Sequence, residues 1–354
     1  MTDIEQVRQA LGQVMDPELD RSIVDLGMVH DLGFEDGIVT FTFALTTLAC
    51  PLKAQMQQDA RERLLALDGV DEVIINLREM TAEEKQRIVG PQKEGAAVRF
   101  NRIRHVTAVL SGKGGVGKSS VAALLAIVLR RKGHKVGLLD ADITGPSIPK
   151  MLLSHPEHPV ANPMGIMPVR TPSGIKVMSI NLLLADPNQA VIWRGPLISK
   201  AITQFWGDVF WGDLDYLIVD LPPGTSDASL TVMQSMPLNG VVLVTTPQGL
   251  AGMVVRKASS MAIQLGVPIL GLIENMSYVK CPDCGQTIQV FGPSNADEVA
   301  NSLRVPILGR VPIDPEISLL ADSGRLEEYH ANEFEPVVDR LLAIMPEQAA
   351  VPKV

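Results

Sequence analysis

Residues 111–120 read SGKGGVGKSS, and a chain with this run has few folds open to it. Gly112, four further residues and then Gly117-Lys118-Ser119 match the G-x-x-x-x-G-K-[ST] template of a loop that wraps nucleotide phosphates. A short apolar run, His105 to Leu110, precedes it. A longer one, Val121 to Leu129, follows and ends in Arg130-Arg131-Lys132-Gly133. The expected order is strand, loop and helix, the helix closed by basic residues and a glycine. Glycines let backbone N–H groups converge on phosphate oxygens, and the helix N-terminus presents its unpaired N–H groups to the same anion. Gly112, Lys113, Gly114, Gly115, Val116 and Gly117 would form this cradle, with Lys118 reaching the outer phosphates and the Ser119 hydroxyl ligating magnesium. Lys113 exceeds the template, and on the residues alone it is compatible with a solvated loop lysine.

The rest of the chain divides around this motif. Residues 1–80 read as a small α+β module. An amphipathic helix carrying Ile4, Val7, Leu11 and Val14 runs to Asp16-Pro17, and strands over 28–34 and 38–45 meet at the hairpin signal Asp36-Gly37. A helix over 51–67 and a strand over 73–77 complete it. Residues 81–104 turn polar and contain Gly90-Pro91 and Gly95, which marks a linker. From 105 to 346, apolar runs at 135–139, 214–219, 241–245, 269–273 and 307–311 alternate with helical segments, and 347–354 form a tail. Such alternation predicts an α/β fold with a mostly parallel sheet covered by helices, whose ligands bind at the carboxyl ends of the strands.

Bulk properties exclude several classes. The net charge is −9 at pH 7, and a general nucleic-acid binder normally shows a basic face. No apolar stretch approaches the length of a membrane span and Met1 to Gln6 do not resemble a signal peptide, so a cytoplasmic protein is expected. Three cysteines in a reducing compartment do not make a disulfide framework, and a close pair points first to metal or redox chemistry.

Further signals fall at strand ends. Asp140 and Asp142 follow one predicted strand, and Asp220 to Asp227 follow another. A carboxylate beside the phosphate loop can hold magnesium or orient an attacking water, although aspartates also cap turns. Nothing resembles an Asn-Lys-x-Asp guanine signature, so adenine is expected, and Asn275 is either an amide for the base edge or a turn residue. Cys281-Pro-Asp-Cys284 offers two thiols of the four that a tetrahedral centre needs. A two-fold dimer would supply the other two, for either zinc or an iron-sulfur cluster. A structural zinc knuckle and a thioredoxin-like dithiol stay open, though the latter should begin a helix, whereas 287–291 looks strand-like. Cys50, ahead of Pro51, caps the predicted helix over 51–67 and is either a reactive thiolate or metal ligand, or a buried inert side chain.

Taken in order, residues 111–120, 140–147, 220–227, 274–277 and 281–285 resemble the Mrp/ApbC family of ATP-binding iron-sulfur cluster carriers, within the MinD-like class of P-loop ATPases. Residues 1–80, with Asp16-Pro17-Glu18, Leu26-Gly27 and Ala49-Cys50-Pro51, resemble the PaaD-like iron-sulfur assembly domain. The resemblance implies ATP, Mg2+ and a four-iron cluster bridging two subunits through Cys281 and Cys284. It implies that Lys113 reaches the partner's nucleotide and that Ser120 lies near the first phosphate. Asp142 would position attacking water, with Asp140 and Asp220 near magnesium. Implied partners are a second copy of the chain, apo iron-sulfur proteins and the cluster assembly machinery, with no nucleic acid or membrane. Thr144 stands where the family often has tyrosine, Ser226 where it often has glycine, and Thr47-Leu48 also depart from its pattern. The expected activity is ATP hydrolysis coupled to carriage of a labile cluster. A positioning or partitioning ATPase, a non-enzymatic nucleotide scaffold and a nitrogenase-reductase-like electron donor are the rivals.

Overall fold

A computed structural model describes residues 2–16, 21–45, 53–81, 84, 97–155, 157–162, 164–184 and 195–350, except for the side chains of 196 and 249–254. The chain forms two compact units, one of residues 1–100 with 161–166, the other of 101–160 with 167–354.

The smaller unit contains α1 (Ile4–Leu11), β1 (Met15–Asp16), β2 (Arg21–Ser22), β3 (Val29–Glu35), β4 (Ile38–Leu45), α2 (Lys53–Leu65) and β5 (Glu72–Glu79). Its sheet runs β3-β4-β5, antiparallel between the first two and parallel between the last two. The Asp36-Gly37 hairpin forms as expected, since both residues take positive φ, 46° and 81°, which matches the turn's twist to that of the strands. Helix α1 ends sooner than the apolar periodicity suggests. The Gly12 N–H closes on Arg8 O and the chain turns, so Val14 enters the core from the following segment, where the Ile23 N–H donates to its carbonyl. Val7, Leu11 and Val14 are fully buried as expected, whereas Ile4 is 46% exposed. The start of the predicted linker is structured: Thr81 and Glu84 cap each other's backbone, and Arg78 grips the Glu84 carboxylate with two N–H groups at 2.6 Å.

The chain continues, in the larger unit except for residues 161–166 of the β8 and β9 segment, with β6 (Arg102–Ser111), α3 (Lys118–Arg131), β7 (Val136–Asp140), α4 (Ile148–Leu152), β8 (Val160–Asn162), β9 (Gly165–Met167), β10 (Val169–Arg170), β11 (Lys176–Ser179), α5 (Gly195–Gly207) and β12 (Asp213–Asp220). It ends with α6 (Asp227–Ser235), β13 (Gly240–Thr245), α7 (Gly249–Gln264), β14 (Ile269–Glu274), β15 (Val279–Lys280), β16 (Thr287–Ile288), α8 (Ala296–Leu303), β17 (Ile307–Arg310), α9 (Pro315–Asp322) and α10 (Glu335–Ile344). Eight strands make one sheet in the order β10-β11-β7-β12-β6-β13-β14-β17, parallel throughout except for β10. The five predicted strands all lie in it. Strand β6 starts at Arg102, three residues before the apolar run. The β10-β11 edge was not legible, because β11 is short and begins with a lysine, whose ammonium donates to Trp211 O at 2.7 Å.

Helix α3 explains its own composition. It is apolar on every side from Val121 to Leu129, and all nine residues are at most 2% exposed, because the helix is enclosed by the sheet and by outer helices. The phosphate loop therefore leads into a deeply buried helix. Residues 346–350 are not a free tail: the Asn239 amide donates to Pro346 O and the Ala350 N–H to Leu238 O.

Leu124→Ala in this helix should cost about 2–5 kcal/mol. Urea unfolding followed by tryptophan fluorescence reads the effect on the larger unit alone, since the three tryptophans are Trp193, Trp206 and Trp211.

Candidate nucleotide and thiol sites

The loop between β6 and α3 is shaped for an anion. Gly115 and Gly117 take φ of 78° and 73°, conformations that side chains resist. Gly117 is the N-cap of α3, and no side chain caps that end, so the first-turn N–H groups keep their capacity for an anion. A second loop closes against the first. The Gly224 N–H donates to Ser111 O at 2.8 Å, and Gly224 has φ of 78°.

Parallel register brings the acidic residues together. Asp140 is paired with Asp220 across β7 and β12, and both are fully buried. Asp220 accepts from Lys118 Nζ at 2.5 Å on Oδ1 and from Ser119 Oγ at 2.5 Å on Oδ2. A hydroxyl and a carboxylate thus meet where hard oxygen ligands are needed, which fits a magnesium ion that keeps several waters. Asp140 is arranged differently. Its Oδ1 accepts from the Asp142 N–H, and its Oδ2 from the Ser147 and Ile148 N–H groups and the Ser179 hydroxyl, at 3.0–3.3 Å. It holds the turn after β7 in shape, while Asp220 alone of the pair meets Ser119. Burial raises both carboxyls. Asp140 is pushed up to about 8, with the Asp220 charge as the next cause, and Lys118 opposes the rise at Asp220.

Asp142 is buried on the same turn. Thr144 Oγ1 and the Gly145 N–H both donate to its Oδ1, at 3.1 and 3.2 Å, so Thr144 supports Asp142 where the resemblance would put a tyrosine. Ser226, in place of a glycine, caps α6 by accepting from the Ser229 N–H. Lys113 Nζ donates to Gln248 Oε1 at 2.6 Å. Gln248 was not singled out from the sequence, although it follows a strand end, as the other site residues do. The Asn275 amide nitrogen donates to Val116 O at 2.9 Å, so this side chain buttresses the phosphate loop.

Cys281 and Cys284 sit at the tip of a hairpin whose strands β15 and β16 pair Lys280 with Thr287. Both thiols are free, Cys284 exposed and Cys281 half-buried. No helix follows them, which removes the support for a thioredoxin-like dithiol, and the strand expected over 287–291 is only Thr287–Ile288. N–H groups of Cys284 and then Asp283, followed by the Cys284 thiol, hold Cys281 below the ordinary thiol range. Ile288, Val290 and Phe291 beside them are 50%, 53% and 39% exposed. Among the described residues, no group of three or more His, Cys, Asp or Glu is placed to hold a metal. Cys50 lies outside the described residues. Among those described, no helix is long and apolar enough to cross a membrane.

A Cβ at Gly117 would collide with the Asn275 amide in a left-handed backbone conformation. Gly117→Ala should therefore weaken nucleotide binding about 10- to 100-fold, measured by calorimetric titration with ADP. The lowered Cys281 thiol predicts that alkylation by iodoacetamide, followed by peptide mass spectrometry, rises with pH at lower pH than in an unstructured peptide. Cys284→Ala should shift that profile upward, because one hydrogen bond to the Cys281 sulfur is lost.

The sequence pattern of the NUBPL iron-transfer P-loop NTPases matches residues 102–345, and that of an iron-sulfur cluster assembly protein matches residues 4–75. The iron-sulfur cluster carrier protein of Synechocystis is 43% identical over 329 residues, 92% of this chain and 91% of the relative. That of Methanocaldococcus jannaschii is 45% identical over 267 residues, 74% of this chain and 92% of the relative. Among solved structures, a nucleotide-binding protein from Archaeoglobus fulgidus in complex with ADP is 45% identical, covering 68% of this chain and 96% of that one with a TM-score of 0.61. The cell division ATPase MinD of Pyrococcus furiosus, 21% identical with a TM-score of 0.50 over 68% of this chain and 99% of that one, shares the fold. The chain belongs to the NUBPL iron-transfer P-loop NTPases, and its first residues match an iron-sulfur cluster assembly protein.

Proposed function

We propose that the chain is a homodimeric ATPase that binds a labile iron-sulfur cluster between two copies and delivers it to apo-proteins. The observation that carries this reading is the thiol hairpin. It holds two free thiols at an exposed tip, with no third ligand beside them among the described residues and an apolar rim of Ile288, Val290 and Phe291. Two such hairpins facing each other supply four thiolates for a four-iron cluster and cover the rim. The names of the relatives support cluster carriage. A reducing compartment such as the cytoplasm keeps the thiols available.

On the nucleotide side, the 112–117 loop and Ser120 hold the phosphates, with the Asn275 amide supporting the loop from behind. Lys118 turns from Asp220 toward the outer phosphates, and Asp220 with Ser119 would hold the magnesium ion, which would supply charge for the phosphates. This exchange keeps the buried Asp220 charge compensated at each stage. Asp140 fixes the turn that carries Asp142, and Asp142 orients the attacking water. Lys113 leaves Gln248 to reach the nucleotide of the partner.

Anaerobically purified protein should carry about four iron and four sulfide per dimer with little zinc. The cluster should move to an apo-acceptor, and Cys281→Ala with Cys284→Ala should abolish both. Lys118→Ala should slow ATP turnover about a hundredfold or more. Zinc without sulfide in the parent, or full cluster loading of the double variant, would sink the proposal.

A further inference from the structure

Glu274 has no role in the nucleotide chemistry described above, yet it is a fully buried carboxylate at the end of β14. Burying such a group is costly unless its oxygens are matched by donors. The donors come from the two roots of the thiol hairpin. Ser277 Oγ, where the chain departs, donates to Oε2 at 2.5 Å, and Ser294 Oγ, where it returns, donates to Oε1 at 2.9 Å. Arg310 Nε stands 3.8 Å from Oε2 and donates to Ser294 Oγ at 3.3 Å. One carboxylate thus clasps both ends of the segment that carries Cys281 and Cys284.

The next residue, Asn275, touches the phosphate loop. Its amide donates to Val116 O, its backbone N–H to Thr245 O at 2.8 Å, and its side chain fills the space above Gly117. The following residue, Met276, takes φ of 55°, which fixes the direction in which the chain leaves β14. Between loop and hairpin there is no flexible spacer, only three consecutive residues, each tied by hydrogen bonds or held in a restricted conformation.

We propose that Glu274, with Ser277 and Ser294, is a positioning clasp that transmits phosphate-loop occupancy to the Cys281 and Cys284 thiols. A shift of Val116 on phosphate binding moves Asn275, and the clasp turns that movement into a reorientation of the hairpin roots. The inference rests on the proposed pairing of an ATP site with a thiol site, but it requires no cluster.

The test is therefore made on cluster-free, full-length protein. Iodoacetamide modification of Cys281 and Cys284 is timed with and without Mg2+ and a non-hydrolysable ATP analogue. In the parent the nucleotide should change the rate about fivefold or more, the low end of ordinary coupling between two sites. In Ser294→Ala and Glu274→Gln that ratio should collapse toward one, while nucleotide affinity and the nucleotide-free rate stay near those of the parent. Ser294→Ala removes one hydroxyl at a half-buried position and keeps the test decisive if Glu274→Gln fails to fold. A parent without a nucleotide effect, or a Ser294→Ala variant that keeps it, overturns the clasp. Neither outcome bears on iron and sulfide content, which tests cluster carriage separately.

Discussion

The nucleotide site depends on two buried carboxylates made neighbours by strand register. Once β7 and β12 run parallel with Asp140 opposite Asp220, the sheet places two acidic groups side by side where water is excluded. Burial raises both, and the Asp220 charge adds to the rise at Asp140, which reaches about 8. The folded chain then retains protons that the unfolded chain has released, so these groups weaken the fold as pH rises from the usual carboxylate range toward 8. The surroundings answer that cost with donors for Asp140 and with cationic Lys118 for Asp220. A site in which a cation is needed to settle a buried acid is well suited to exchange one cation for another.

The same register explains what was legible in the sequence. The loop template, α3 and six of the seven parallel strands could be read because each is set by local pattern, either glycine spacing or an uninterrupted apolar run. The thiol pair was legible for the same reason. Ser179 was not, since it reaches Asp140 from β11, an edge strand with no apolar run of its own. The early end of α1 was hidden because Val14 continues the helical periodicity while being buried from another segment. The place of Asn275 depends on how closely β14 approaches Gly117, a tertiary distance that no spacing encodes.

The thiol hairpin makes a different demand. Residues 282–291 are all exposed, and strands β15 and β16 have two residues each. A ribbon this small has no buried surface of its own to fix its direction. Its orientation comes from its roots, where both hydroxyls are bound to Glu274, and from the exposed ion pair of Lys280 with Glu333. The larger unit thus joins a rigid loop, enclosed from below by α3, to a light and exposed hairpin through one buried carboxylate. In such an arrangement a small change at the loop passes to the tip against little resistance, since beyond the roots the hairpin is tied by the exposed ion pair of Lys280 with Glu333, a weak contact in solvent.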